Sequence, residues 1–238
     1  MHIDPTERLT SSEKKILYLF DKWPWKIGGT LIGGYAIAAY GAPRYSKDSD
    51  IVIPSSLKSP LKTFLLEQGF KLEKSDHINP QDFEGEVTRY RNEEATVDLF
   101  VGYVRDRKAQ VDISEQWISK NTKRIHLRTL TGTTAVPVNV ARPTALWALK
   151  LQSGRDQDIL DLFAIADVPI EAGEIISLFE GFNSKTLRER LLLTLERAQS
   201  VKLFQDAMAR LQIKRTNESR KRWNLFCERV SDIVEKSV

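Results

Sequence analysis

The stretch from residue 32 to residue 53 constrains the fold of this 238-residue chain more than any other segment. It contains Gly33-Gly34, then a small-residue segment suited to a short helix, and then two aspartates, Asp48 and Asp50, which lead into Ile51-Val52-Ile53. A β-branched run of this kind favours a strand. Because alternate side chains of a strand point to the same face, we expect the two carboxylates to share a face, with Cα atoms roughly 6 to 7 Å apart.

Two carboxylates at this spacing repel each other unless a cation neutralises them. Mg²⁺ suits that role, because one or two carboxylates typically hold it while phosphates and water complete its octahedron. A Gly-Gly turn before a helix offers close backbone approach and free N–H donors to a phosphate group. Alone, Gly-Gly is also typical of a tight turn, and Asp-x-Asp of a strand edge or a cap. Together they predict a phosphate site beside a metal site.

The order Gly33-Gly34, thirteen further residues, Asp48-x-Asp50 and an apolar strand resembles the signature of the nucleotidyltransferase superfamily related to DNA polymerase β. Within it, Arg44-x-Ser46-x-Asp48-x-Asp50 is most similar to the AbiEii-type abortive-infection and MenT-like toxin nucleotidyltransferases. Many members have serine at the second glycine. The resemblance therefore assigns nucleotide contact to the backbone of Gly33 and Gly34, with Arg44 and Ser46. Ser49 replaces the usual apolar residue between the aspartates.

A third aspartate, Asp98, lies inside the apolar run Thr-Val-Asp-Leu-Phe-Val. A carboxylate there is costly unless it is paired or metal-bound, or unless it faces water at a sheet edge. In the resembled superfamily, a third carboxylate on a later strand completes a two-metal site. The resemblance therefore implies that Asp48, Asp50 and Asp98 are catalytic and hold two Mg²⁺ ions, and that Asp98 activates the acceptor hydroxyl.

A second segment is similar to another motif of the AbiEii-type proteins. It consists of Pro143, Leu146, Lys150-Leu151, Arg155, Asp158 and Asp161-Leu162. This similarity implies that Lys150 contacts the triphosphate, whose charge exceeds what Mg²⁺ and backbone donors neutralise, and that Asp158 also serves the nucleotide. The alternatives are that Lys150 is an exposed charge on an amphipathic helix, and that Asp158 and Asp161 cap the next helix. Gln157 stands where a basic residue is usual.

Composition and charge limit the class of protein. The chain is 41% apolar and 29% charged, no run approaches 18 apolar residues, and the N-terminus lacks the pattern of a signal peptide, so we expect a cytoplasmic protein without a membrane partner. Cys227 is the single cysteine, which excludes an internal disulfide, and its apolar helical setting predicts a core position.

The net charge is +4, and residues 185–222 hold eleven Lys or Arg against four acidic residues. Such a basic region suits either a solvated face or contact with nucleic-acid phosphates.

Hydrophobic periodicity predicts an α/β fold: a small mixed-sheet core in residues 1–140 and a helical domain in residues 141–238. The predicted helices with defined bounds are 10–23, 35–40, 114–119, 142–152, 171–180, 201–211 and 217–236. The first of them has a capping box at Thr10-Ser-Ser-Glu13. Two further helices are predicted from their caps: one capped by Ser59, with Pro60 at its first position and Gly69 at its end, and one capped by Ser184. The predicted strands are 26–33, 51–53, 70–73, 86–91, 95–103 and 136–140, while the basic segment 120–128 has no assigned structure.

The resemblance implies Mg²⁺-dependent transfer of a nucleoside monophosphate from an NTP to an acceptor. It further implies RNA, a tRNA end, as the acceptor, and a toxin whose partner is an antitoxin protein. Aminoglycoside and lincosamide adenylyltransferases are an alternative, but those sequences carry an acidic residue five positions after the first glycine, where this chain has Ala38. A second alternative is a non-catalytic RNA- or protein-binding module. The presence of Asp48, Asp50, Asp98 and Lys150 argues against it.

Overall fold

The computed structural model describes residues 5–41, 46–73, 86–106, 111–128, 135–166, 168, 185–211 and 217–236. The helices in this part are α1 Pro5–Lys22, α2 Gly33–Ala39, α3 Lys58–Glu67, α4 Glu115–Lys120, α5 Pro143–Ser153, α6 Asp156–Ala164, α7 Lys185–Ala198, α8 Val201–Leu211 and α9 Asn217–Lys236. The strands are β1 Thr30–Ile32, β2 Asp48–Ile53, β3 Lys71–Leu72, β4 Glu86–Arg91, β5 Thr96–Val101, β6 Tyr103–Asp106, β7 Val111–Ser114, β8 Thr122–Arg128 and β9 Ala135–Ala141.

The chain divides into two compact units. The first is Met1–Arg105 with Asp112–Ala141, and the second is Asp106–Val111 with Arg142–Val238. The first contains a seven-stranded sheet in the order β3-β4-β5-β2-β1-β9-β8, while β6 pairs with β7. The pairs β2–β5 and β1–β9 are parallel, and the other pairs of the large sheet are antiparallel. The predicted fold class, a mixed α/β core followed by a helical C-terminal region, is confirmed.

One face of the central strands forms an apolar core. Alternate residues of β2 and β5 are fully or almost fully buried there, namely Ile51, Ile53, Val97, Leu99 and Val101, together with Leu31 on β1. These positions are β-branched or leucine, which pack well on a pleated surface. The opposite parity of β2 and β5 carries Asp48, Asp50 and Asp98. Burial of one face therefore fixes the register, since a one-residue slip would bring the carboxylates into the core.

Several predicted boundaries in the first unit are wrong. The first helix begins at Pro5 and not at Thr10, because proline with its fixed φ is well suited to a first helical turn. The first strand begins only at Thr30, since Gly28 and Gly29 have φ of 143° and 102°, which a strand does not accommodate. Ser59 does not cap α3, because a 3₁₀ turn over Ser55–Leu57 precedes that helix and Leu57 occupies its N-cap.

The second unit is helical wherever the structure describes it, apart from the short β6–β7 residues assigned to it. Its core includes Trp147, Phe163 and Trp223, with ring centroids 5.4 Å apart for the two tryptophans and 4.1 Å apart for Phe163 and Trp223. Cys227 is buried, as predicted, and burial raises the pKa of its thiol to about 12. Predicted helix 171–180 and Ser184 lie outside the described residues. No helix in the described ranges has both the length and the apolar character needed to cross a bilayer.

Candidate active site

The sheet register brings three aspartates to one face. Asp50 lies opposite Ile32 of β1 on one side and level with Asp98 of β5 on the other, and Asp48 is level with Thr96. Paired residues of neighbouring strands share a face, and such strands lie about 4.8 Å apart. The structure therefore brings together the three carboxylates that the sequence singled out, through the parallel pairing of β2 with β5. We call Asp48, Asp50 and Asp98 the carboxylate face.

Gly33 lies directly against this face. Its φ is +67°, in the left-handed region that favours glycine, and it begins α2. A Cβ added at this position would overlap Oδ2 of Asp50. Gly33 is therefore constrained twice, by its own backbone and by the carboxylate that occupies the space over its Cα. Gly34 follows it in the buried part of α2.

An arginine holds the third aspartate. Arg89 lies opposite Asp98 on β4, its Nε donates to Oδ1 at 2.7 Å, and its Nη2 donates to Oδ2 at 2.6 Å. Asp98 is only 5% exposed. The hydrogen bonds to Asp98 raise the pKa of Arg89 above its usual range, although partial burial by itself would lower it. Both oxygens of Asp98 are thus engaged by a permanently charged guanidinium.

Arg89 was not among the residues predicted from the sequence, but a local signal could have identified it. Asn92 and Ala95 close the β4–β5 hairpin, where the Asn92 side chain accepts hydrogen bonds from the backbone N–H of Glu94 and of Ala95. Counting outward from this turn places Arg91 opposite Thr96 and Arg89 opposite Asp98. The register of a hairpin follows from its turn, so the pair was accessible from the sequence.

The charges of this face act on one another. Asp48 is exposed at the start of β2, but neighbouring groups partly desolvate its carboxyl. This desolvation and the negative charge of Asp98 raise the pKa of Asp48, while Arg89 and a hydrogen bond from Thr96 oppose that rise. Burial, together with Glu13 and Asp48, also raises the pKa of Tyr35, whose buried Oη has no hydrogen-bond partner among the described residues. A bound cation would offset the repulsion felt by Asp48.

The three aspartates differ in what they offer to a Mg²⁺ ion. Asp48 and Asp50 offer carboxylate oxygens from one strand face, which is the ligand type that Mg²⁺ takes from proteins. Asp98 differs, because both of its oxygens accept from Arg89. Over the ranges that the structure describes, no three Asp, Glu, His or Cys side chains are grouped to hold a metal ion. Asp48 and Asp50 are the carboxylates of this face that suit a divalent cation, because both oxygens of Asp98 already accept hydrogen bonds from Arg89.

A second ionic cluster lies in the second unit. Nζ of Lys150 on α5 donates to Asp158 at 2.6 Å and to Asp161 at 2.8 Å, both on α6. Ser153 and Arg155 also donate to Asp158, at 2.5 Å and 2.6 Å. Lys150, Asp158 and Asp161 are buried. The residues of the second sequence motif are thus brought together, and Ser153 joins them. We call this group the lysine cluster.

The lysine cluster is balanced in charge. Burial by itself would lower the pKa of Lys150 and raise that of Asp158, but the opposite charges outweigh burial in both cases. The pKa of Lys150 is raised by Asp158 and Asp161, and the pKa of Asp158 is held well below its usual range by Lys150 and Arg155. Lys150 is therefore not the exposed charge that the sequence left open as an alternative. Its predicted contact with a triphosphate stays a prediction.

Of the remaining residues predicted to bind nucleotide or RNA, only some lie in the described ranges. Arg44 lies outside the described residues, as do Lys214 and Arg215, which belong to the basic region 185–222. Ser46 donates from its Oγ to the backbone oxygen of Asp48 at 2.9 Å, next to the carboxylate face.

Two of the basic residues in 185–222 serve the end of a helix. Arg190 donates to the backbone oxygen of Ser153 at 2.6 Å, and Arg197 donates to that of Gly154 at 2.7 Å. The last carbonyls of a helix lack partners within it and carry partial negative charge, so guanidinium groups stabilise them. These two arginines thus tie α7 to the end of α5.

Comparison with known proteins gives weak similarities. No protein-family model matches the sequence, and no curated protein sequence is significantly similar to it. Among solved structures, the chain is similar to JHP933 from Helicobacter pylori, with 15% identity and a TM-score of 0.47 over 99% of this chain and 96% of that one. It is similar to a candidate nucleotidyltransferase from Thermotoga maritima, with 15% identity and a TM-score of 0.45 over 66% and 90%.

The lincosamide antibiotic adenylyltransferase LnuA, with lincomycin bound, is similar at 17% identity and a TM-score of 0.45 over 66% of this chain and 98% of that one. Nucleotidyl- and adenylyltransferases are thus among the structures that this chain resembles. Identities and TM-scores this low carry no argument about activity, which rests on the site itself.

Proposed function

We propose that this chain is a Mg²⁺-dependent nucleotidyltransferase, which moves a nucleoside monophosphate from an NTP to an acceptor hydroxyl. The observation that carries the proposal is the carboxylate face, in which Asp48 and Asp50 share one side of β2, with Asp98 beside Asp50 on β5 and Gly33 against it. Adjacent carboxylates of this kind suit the hard cation that accompanies a triphosphate. The sequence motif around Gly33-Gly34 and Asp48-x-Asp50 supports the same reaction.

In this reaction the acceptor oxygen forms a bond to the α-phosphorus of the NTP. The bond from that phosphorus to the oxygen bridging to the β-phosphorus breaks, pyrophosphate leaves, and the hydroxyl proton passes to a carboxylate of the site or to water. Asp48 and Asp50 would hold the Mg²⁺, which supplies charge stabilisation for the phosphoryl oxygens. Ser46, whose hydroxyl contacts the backbone of Asp48, is a proposed nucleotide contact, and the sequence motif adds Arg44. A second ion would require an oxygen of Asp98 as a ligand. Both of these oxygens already accept a hydrogen bond from Arg89.

We propose RNA as the acceptor, with a tRNA end as the first candidate, and an antitoxin as a protein partner. The physical support is charge: the net charge is +4, the pI is about 9.1, and Lys123, Arg124 and Arg128 are exposed on the edge strand β8. Basic strands of this kind bind phosphates without base selectivity. The support from residues 185–222 is smaller than their number suggests, because Arg190 and Arg197 are engaged within the second unit.

The test is to incubate the protein with Mg²⁺, total RNA or cell lysate, and each NTP labelled at the α-phosphate. Transfer of label to RNA is the expected result, and the same NTP labelled at the γ-phosphate should transfer none, which separates nucleotidyl from phosphoryl transfer. Label found on protein or on an aminoglycoside or lincosamide would support nucleotidyl transfer but would show that RNA is not the acceptor. No labelled product with any NTP would refute the proposal.

Site variants make the test specific. Asp48→Asn and Asp50→Asn should each abolish transfer, because each removes a charged ligand of the cation. The thermal midpoint of Asp48→Asn without metal should be unchanged or higher, since loss of this charge relieves its repulsion by Asp98. Ser49→Ala is the matched control: Ser49 lies between them on the opposite, buried face, and its hydroxyl has no partner among the described residues, so activity should remain.

A further inference from the structure

We propose that a groove of the second unit is the docking site for a basic, amphipathic helix of a partner protein. The groove lies between α7, the start of α8 and the last turns of α9, and its volume is about 690 Å³. No residue of the carboxylate face or of the lysine cluster lines it. This function goes beyond the proposed transfer reaction and does not depend on it.

The floor of the groove is apolar. Leu192, Leu193 and Val201 line it, and Leu193 and Val201 are 56% and 47% exposed. The core of the second unit does not use Leu193, because Leu191 and Leu195 form the buried stripe of α7. Large apolar side chains that remain exposed together in one groove mark a surface that another molecule covers.

The charged residues that line the groove are acidic. They are Glu189 and Glu196 on α7 and Glu235 on α9, and all three are exposed. Glu189 and Glu196 lie on the same face of α7 as Leu192 and Leu193, by helical spacing. Among the described residues, the carboxylates of Glu196 and Glu235 form no ion pair. The groove is thus apolar between acidic groups, in a chain whose net charge is +4.

The basic residues close to the groove in sequence offset only part of this charge. Arg188 donates to the backbone oxygen of Glu235 at 2.8 Å, and Arg197 is engaged at the end of α5. Lys202 is exposed next to the groove, and so is Asp232, of opposite charge. None of the described residues that line the groove is Lys or Arg.

This combination of surfaces fits one kind of partner. An amphipathic helix places its apolar face in such a groove, and Lys or Arg beside that face would lie against the glutamates. The lining of α7 extends from Glu189 to Ser200, which corresponds to about three helical turns of the partner. Nucleic acid and anionic lipid surfaces carry negative charge, so the glutamates disfavour both.

The experiment titrates three labelled synthetic peptides of about 14 residues with the full chain and follows fluorescence anisotropy. The first is a leucine–lysine peptide with leucines at helical i, i+3 and i+4 spacing. The second has glutamate in place of lysine, and the third has the composition of the first in an order that leaves no apolar face. We expect the first to bind most tightly and less tightly as salt rises, the third to bind weakly, and the second not to bind.

Variants of the groove make the test specific. Leu193→Ser should weaken binding of the leucine–lysine peptide by about tenfold, because it removes an apolar anchor. Glu196→Gln should weaken it less and reduce its dependence on salt. The matched controls are Leu225→Ser and Glu228→Gln on α9, since both residues are exposed and neither lines the groove. Both controls should bind the peptide as the wild type does.

Three outcomes would overturn the proposal. One is equal binding of the leucine–lysine peptide by Leu193→Ser and Leu225→Ser, and another is equal affinity for the first and third peptides. The third is a dimer of the full chain, seen by sedimentation, that Leu193→Ser dissociates, because a second copy would then occupy the groove. None of these measurements involves a nucleotide, so a failure of the transfer reaction and a failure of this docking site are distinguishable.

Discussion

Gly33 shows how one residue can be constrained by its backbone and by a neighbouring side chain together. Replacing it with alanine would cost about 1 to 2 kcal/mol for the left-handed conformation and would also displace Asp50, whose oxygen occupies the position of the new Cβ. We expect Gly33→Ala to lower stability to urea and to lose most transfer activity. Both are measured on the same preparation.

Gly69→Ala is the control for this prediction. Gly69 also has a positive φ, +82°, but a Cβ there would meet nothing within 4 Å. This variant should show the loss of stability from backbone strain and keep its activity. Equal activity of the two variants would mean that displacement of Asp50 does not disturb the site.

At this scale the sequence predicted how the three aspartates are arranged, but it did not predict which side chains contact them. Asp48 and Asp50 share a face because a strand alternates, and Asp98 was identifiable because it interrupts an apolar strand. Arg89 was missed because its role depends on hairpin register, which no property of the arginine itself reveals. Likewise, nothing local to Lys150 distinguishes an exposed lysine from one buried between two aspartates of the next helix.

Helices α5 and α6 depend on the lysine cluster. Removing one partner of a buried ionic group leaves the others unpaired, which typically costs about 3 to 5 kcal/mol. We expect Lys150→Met to destabilise the protein by about that amount, because it leaves the charges of Asp158 and Asp161 with fewer partners. Urea denaturation measures the difference. The exposed Lys202 on α8 provides the control, since Lys202→Met should change the free energy of unfolding by about 0.5 kcal/mol or less.

The same cluster predicts an acid dependence. The pKa of Asp158 is lower in the folded protein than in the unfolded chain, so its ionised form stabilises the fold at pH values above the unfolded pKa. This contribution should be complete at neutral pH and should decline as the pH falls through roughly 4 and below. Urea denaturation of the wild type from pH 7 to pH 3 measures it. Asp158→Asn should show a smaller loss over this range, and an equal loss would exclude Asp158 as the cause.

Elements were predictable where apolar periodicity was clean and uncertain where charge obscured it. Residues 201–211 and 217–236 form helices with the predicted bounds. Strand β8 was missed because Lys123, Arg124 and Arg128 dominate its seven residues, although Ile125 and Leu127 alternate toward one face. Charged side chains are frequent on edge strands, where they prevent pairing with other chains, so the charge that hid this strand also fits its position.

For the molecule as a whole, net positive charge predicts how an RNA acceptor would bind. If phosphates contact β8, affinity for RNA should fall as salt rises, and replacing Lys123, Arg124 and Arg128 with Gln should reduce the slope of log affinity against log salt by up to about three. A filter-binding titration from low to physiological salt measures that slope. The control replaces three exposed lysines elsewhere with Gln: Lys14, Lys26 and Lys62. Equal weakening by both triple variants would show that net charge alone acts.

The parallel pairing of β2 with β5 has a consequence for how the chain folds. Asp50 and Asp98 become neighbours only when strands separated by 48 residues pair, and the adjacent β1–β9 pair joins Leu31 to Val140. Closing loops of this length costs chain entropy before any contact compensates for it, which makes such pairing slow. If the carboxylate face is complete only after this slow step, a cation bound there stabilises the native state and not the transition state. Divalent cations should then slow unfolding and leave the refolding rate unchanged.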